Sequence, residues 1–102
     1  MNSIIEQRQP ELKEACQAFG VERLEVFGSA ARADYDPQRS DVDFIVRFRT
    51  PDRAGYADRY LGLAERLEQL LGRPVDLVTE RSLRNPLFVR AIMHDRITVY
   101  DA

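Results

Sequence analysis

"VFGSAARADYDPQRSDVDFIV", residues 26–46, decides how the chain is read. Its end runs into "DVDFIVRF" (Asp41 to Phe48), where Val42, Phe44 and Val46 recur at every second position. That period of two is the mark of a half-buried strand. Asp41 and Asp43 then share the opposite face, with Cβ atoms roughly 6.6–7 Å apart. Two like charges so placed repel each other, and taking them out of water is costly unless something neutralises them. A hard divalent cation such as Mg²⁺ does so, because it prefers oxygen ligands and is held by one or two carboxylates plus substrate phosphates. An Asp-x-Asp pair inside an apolar strand therefore predicts a metal site.

Working upstream, "VERLEVF" (Val21 to Phe27) also alternates. Val21, Arg23, Glu25 and Phe27 are expected on one face and Glu22, Leu24 and Val26 on the other. Gly28 and Ser29 follow that strand directly. A glycine lets backbone approach a phosphate closely, free amides at a helix start favour an anion, and the Ser29 hydroxyl adds a hydrogen bond. The stretch is not a Walker loop, since the second glycine and the Gly-Lys-Ser/Thr ending are missing. Arg32 and Arg39 flank the candidate site and are candidate contacts to triphosphate oxygens.

Downstream, "PVDLVT" (Pro74 to Thr79) is a third strand interrupted by an acid, Asp76. If this strand neighbours the one carrying Asp43, the three acids can hold two metal ions about 4 Å apart, the clamp used for in-line displacement at phosphorus. Singly, each feature is commonplace. A Gly-Ser is an ordinary turn, an Asp-x-Asp is usually surface, and Asp76 could pair with an arginine. Their combination inside apolar strands points to phosphate and metal chemistry.

The rest of the chain supplies the frame. Pro10 to Phe19 predicts a helix with Leu12, Ala15, Cys16 and Phe19 on one side, stopped by Gly20. Tyr56 to Leu71 predicts the longest helix, with an apolar stripe of Tyr60, Leu63, Ala64, Leu67, Leu70 and Leu71 closed by Gly72. Asn85 and Pro86 open another helix, and "ITVY" (Ile97 to Tyr100) reads as a fourth strand. This alternation predicts an α/β (α+β) fold, a small mixed sheet with helices packed against it.

At 102 residues the chain is expected to form one domain, residues 1–102. Its net charge of −2 comes from 15 basic and 17 acidic residues without a run of either sign, so general nucleic-acid or membrane-surface binding is not expected. Cys16 is the single cysteine and reads as a small buried side chain, not a reactive thiol. His94 reads as a helix-end residue. The first twenty residues carry acids and no continuous apolar run, and no stretch is long enough to span a bilayer, so a cytoplasmic location is expected.

"GSAARADYDPQRSDVDFIV" resembles the signature of the polymerase-beta-like nucleotidyltransferase superfamily: a Gly-Ser turn, a spacer, then Asp-x-Asp. The short length, the "GSAAR" form and the "VDLVT" strand are similar to the minimal nucleotidyltransferases, the MNT antitoxins that pair with HEPN toxins. The likeness spans Val21 to Tyr100. The resemblance implies that Gly28, Ser29 and Arg32 bind the nucleotide, and that Asp41, Asp43 and Asp76 hold Mg²⁺, two ions in all. It also implies that Asp76 helps to activate the acceptor hydroxyl. The implied reaction moves AMP from ATP to a tyrosine of the partner toxin and silences it. The spacer is one residue longer than is common in the family, and Ala33 stands where a glycine often follows Ala-Arg. The longer spacer keeps a second reading in play, an antitoxin that neutralises by binding alone; a third is a transferase acting on a small molecule or an RNA end.

Overall fold

The computed structural model describes residues 3–27, 42–49, 55–79 and 96–102. Two short helices open the chain, α1 (Ser3–Gln7) and α2 (Gln9–Ala18). Strands β1 (Val21–Phe27) and β2 (Val42–Phe48) follow, then the long helix α3 (Tyr56–Leu71), and finally β3 (Val75–Thr79) and β4 (Ile97–Asp101). The four strands form one mixed sheet in the order β3-β2-β1-β4. β1 runs antiparallel to both β2 and β4, while β3 runs parallel to β2. A parallel neighbour needs a crossover, and α3 is the helix between these two strands in the chain.

The alternation of β1 and β2 determines which side the helices cover. Leu24 and Val26 of β1 meet Val46 and Phe44 of β2, and all four are buried. With Val42 and Phe48 they form a core against Leu12, Ala15 and Cys16 of α2 and Leu63, Leu67 and Leu71 of α3. These α3 residues recur at the fourth position, so one stripe of the helix meets the sheet while Tyr60, Ala64 and Leu70 pack at its margin. Gly72 ends α3 at φ +64° and its N–H donates to the Glu68 carbonyl, a left-handed cap that a side chain would strain. Gly62 lets α2 and α3 approach each other, since a Cβ there would lie 2.6 Å from the Phe19 ring.

Several expectations change, among them the start of β3 at Val75 instead of Pro74 and the span of α2, Gln9–Ala18 instead of Pro10 to Phe19. Val21 does not share a face with Arg23: the ladder slips between them, and Val21 is buried in the helix-side core. A bulge inserts one residue and so reverses the side on which the next side chain emerges. The chain is already helical at Ser3, because Pro10 lies in the first turn of α2, where its missing N–H costs nothing, and Ile5 upstream is fully buried. β4 continues one residue past Tyr100, through Asp101. The expected helix after Pro86 and the position of His94 lie outside the described residues.

Burial pushes the Cys16 thiol up to about 12, which keeps it neutral. The thiolate is the nucleophile, so the native protein is expected to resist iodoacetamide at pH 8 and to react only when unfolded. Because the folded value is raised, the neutral thiol's contribution to stability is complete below the unfolded value of about 8.5. It is lost as pH climbs from there towards 12. Alkylation of native protein as fast as in urea would show that Cys16 is not enclosed.

Candidate active site

Side chains that do not face the helices form a second surface on the other side of the sheet. Phe27 and Ile45 are buried there and Val78 packs on them. By alternation the same face carries Asp43 of β2 and Asp76 of β3, which are Cα partners in the parallel ladder. Adjacent strands lie about 4.8 Å apart, so the two carboxylates start side by side at one register. Asp43 is half-buried and Asp76 exposed. The two strands are therefore neighbours, as the placement of Asp76 required. Phe27 is the Cα partner of Asp43 on its other flank. The end of β1 and the beginnings of β2 and β3 thus meet at one end of the sheet.

Gly28, Ser29, Arg32 and Asp41 lie outside the described residues, as does Arg39. Among the described residues no three His, Cys, Asp or Glu side chains come together as a metal cage. What the described chain does bring together is the pair Asp43 and Asp76. Two adjacent carboxylates are hard oxygen donors and suit Mg²⁺, which is bound by one or two carboxylates with phosphate completing its shell. The donor set fits the ion.

Two features beside the acids were not singled out in the sequence. Glu25 lies on the acid face, only 5 % exposed. Arg96, just before β4, grips it in a fork, Nη2 to Oε1 at 2.5 Å and Nε to Oε2 at 3.1 Å. Arg23 Nε adds an ion pair at 3.5 Å. A glutamate in an alternating strand looks like a solvent-facing residue, and its partner is 71 positions away, so only the sequence's wealth of arginine hinted at it.

The second feature is Tyr60 of α3, read from the sequence as part of an apolar stripe. Its hydroxyl donates to the backbone carbonyl of Leu77, the residue after Asp76. Burial raises its pKa above the usual phenol value, and the charges of Asp76 and Tyr56 add to that rise. Beside it, Tyr56, Ala57, Tyr60, Leu61, Leu77, Val78 and Thr79 line an open groove of about 570 Å³.

Comparison with known proteins shows the family. The chain belongs to the nucleotidyltransferase domain family, whose pattern matches residues 10–99, and it is a nucleotidyltransferase. It is 38 % identical over 85 residues to the protein adenylyltransferase MntA of Thermococcus cleftensis, covering 83 % of this chain and 79 % of that one. A Methanocaldococcus jannaschii protein, provisionally named a protein adenylyltransferase, is 37 % identical over 81 residues, 79 % of each chain. A solved structure provisionally described as a minimal nucleotidyltransferase superposes with a TM-score of 0.75 at 32 % identity and 95 % coverage of both chains. The expected fold, a small mixed sheet with helices, is that of the minimal nucleotidyltransferases. The complex of a tri-AMPylated HEPN toxin of Shewanella oneidensis with its MNT antitoxin shares the fold at 16 % identity. Its TM-score is 0.65, over 96 % of this chain and 73 % of that one. No described helix is long and apolar enough to cross a membrane.

Proposed function

We propose that this chain transfers AMP from ATP to a tyrosine hydroxyl of a HEPN-type toxin and thereby acts as its antitoxin. The observation that carries the reading is the single register that sets Asp43 beside Asp76 on the face away from the helices. Relatives named as protein adenylyltransferases favour a protein acceptor. A toxin–antitoxin pair solved with AMP-PNP shares the fold, which favours an adenine nucleotide as donor.

In this reading Asp41, Asp43 and Asp76 hold two Mg²⁺ ions, and Gly28, Ser29 and Arg32 bind the triphosphate. Chain connection supports the grouping. Gly28 follows Phe27 and Asp41 precedes Val42, and those strand ends are adjacent. When bound, Mg²⁺ supplies neutralisation of the triphosphate charge, which would otherwise be repelled by the acids. The Asp76 carboxylate takes up the proton of the acceptor hydroxyl. The acceptor oxygen then bonds to the α-phosphorus, the bond from that phosphorus to its bridging oxygen breaks, and pyrophosphate leaves. No covalent enzyme intermediate is needed, so rate comes from positioning and charge complementarity.

The test is label transfer in a lysate of the source cells with Mg²⁺, comparing ATP labelled at the α-phosphate with ATP labelled at the γ-phosphate. The expected result is one α-labelled protein band, sensitive to tyrosine replacement in that protein. Label from the γ-phosphate would mean a kinase. No label on protein, with a partner still co-purifying, would move the function to neutralisation by binding.

A further inference from the structure

We propose that Tyr60 is a positioning residue for Asp76, holding the outer strand of the sheet at the distance from β2 that a shared cation needs. The inference rests on the assignment of Asp76 to the metal-binding acids. Among the described strands β3 is the end strand and pairs with β2 alone. The outward-facing polar groups of such a strand have no ladder partner among the described strands, so that flank is held by side chains. Two side chains of α3 hold that flank: the Glu68 carboxylate accepts from the Val75 N–H at 3.0 Å, and the Tyr60 hydroxyl donates to the carbonyl of Leu77, the residue after Asp76.

The location of the Tyr60 tie is what matters. Leu77 directly follows Asp76, and its side chain is buried in the helix-side core while Asp76 is exposed. Backbone, core and hydroxyl therefore fix the residue after Asp76 from three directions, whereas the Asp76 side chain itself is exposed. Asp43 needs no such help, because β2 is an interior strand paired on both flanks. Two carboxylates that share a cation must keep their separation to a fraction of an ångström, and a partner shell that locks the weaker-held one supplies this.

The experiment compares full-length wild type, Tyr60→Phe, Asp76→Asn and the double variant, using Mn²⁺ alone as the probe, read by paramagnetic resonance, and amide exchange along β3. Phenylalanine keeps the ring and its packing and removes only the hydroxyl. One lost hydrogen bond of about 1 kcal/mol corresponds to roughly a fivefold effect. Tyr60→Phe is expected to speed exchange of the amides from Asp76 to Val78 and to weaken Mn²⁺ binding by about that factor. In the Asp76→Asn background it should weaken Mn²⁺ binding no further. Unchanged exchange along β3 overturns the tether. An equal weakening of Mn²⁺ binding with and without Asp76 overturns the positioning role, because a general structural effect does not need the carboxylate. Wild-type Mn²⁺ affinity in Asp76→Asn, with faster exchange in Tyr60→Phe, would instead remove Asp76 from the metal site and the positioning role with it.

Discussion

Asp43→Asn is expected to lower nucleotidyl transfer by at least about a hundredfold while the protein stays folded. Asparagine has nearly the same shape, so the half-buried site on β2 keeps its volume and the ladder to Phe27 and Asp76 is unaffected. What disappears is the negative charge that draws a cation and, through it, the triphosphate. Asp76→Asn should cost a similar factor by the same route and, in the proposed mechanism, by losing the carboxylate assigned to take up the hydroxyl proton. Stability should behave in the opposite way. Two carboxylates opposite one another destabilise a metal-free sheet by roughly 0.2–1 kcal/mol, so Asp76→Asn, at an exposed position, should leave the thermal midpoint unchanged or raise it slightly in chelator-treated buffer. Transfer of α-label by each purified variant, with melting curves taken in parallel, checks both halves. Full activity in Asp43→Asn would end the proposed mechanism.

The largest expected effect on stability comes from Arg96→Ala. Removing that fork leaves the nearly buried Glu25 carboxylate with Arg23, at 3.5 Å, as its remaining cation among the described residues. Breaking one partner of a buried pair typically costs about 3–5 kcal/mol, and the remaining arginine argues for the lower end. For a domain of this size each 1 kcal/mol is worth about 4–8 °C, so a fall of more than about 10 °C is expected. Replacing both residues by methionine should recover most of that loss, because desolvating two ions costs about as much as their attraction returns. Urea or thermal unfolding of the single and double variants tests this. A loss below about 1 kcal/mol would show that Glu25 does not depend on Arg96.

These two predictions fall on different sides of what the sequence discloses. The acids were legible because an aspartate at the second or third position of an otherwise apolar strand breaks the pattern, and broken patterns are visible in one dimension. The Glu25–Arg96 pair was not, since Glu25 alternates as an ordinary polar strand residue should and Arg96 is one arginine among fourteen. Tyr60 was hidden for a related reason. At helical spacing it looks like core, and its polar end declares itself only once β3 lies beside α3.

Local periodicity by itself determined that Val21 to Phe27 is a strand and Tyr56 to Leu71 a helix, with no change at either end. It also determined the apolar faces of β2 and α3, because a side chain's face follows from a fixed repeat along the backbone. The order β3-β2-β1-β4, and with it the meeting of Asp43 and Asp76, was decided only in three dimensions. Register between strands 33 residues apart depends on how the helix between them packs, so neither strand's own sequence records it. The slip at Val21 belongs to the same class, since burial of one valine in the shared core outweighs the regular alternation of its strand.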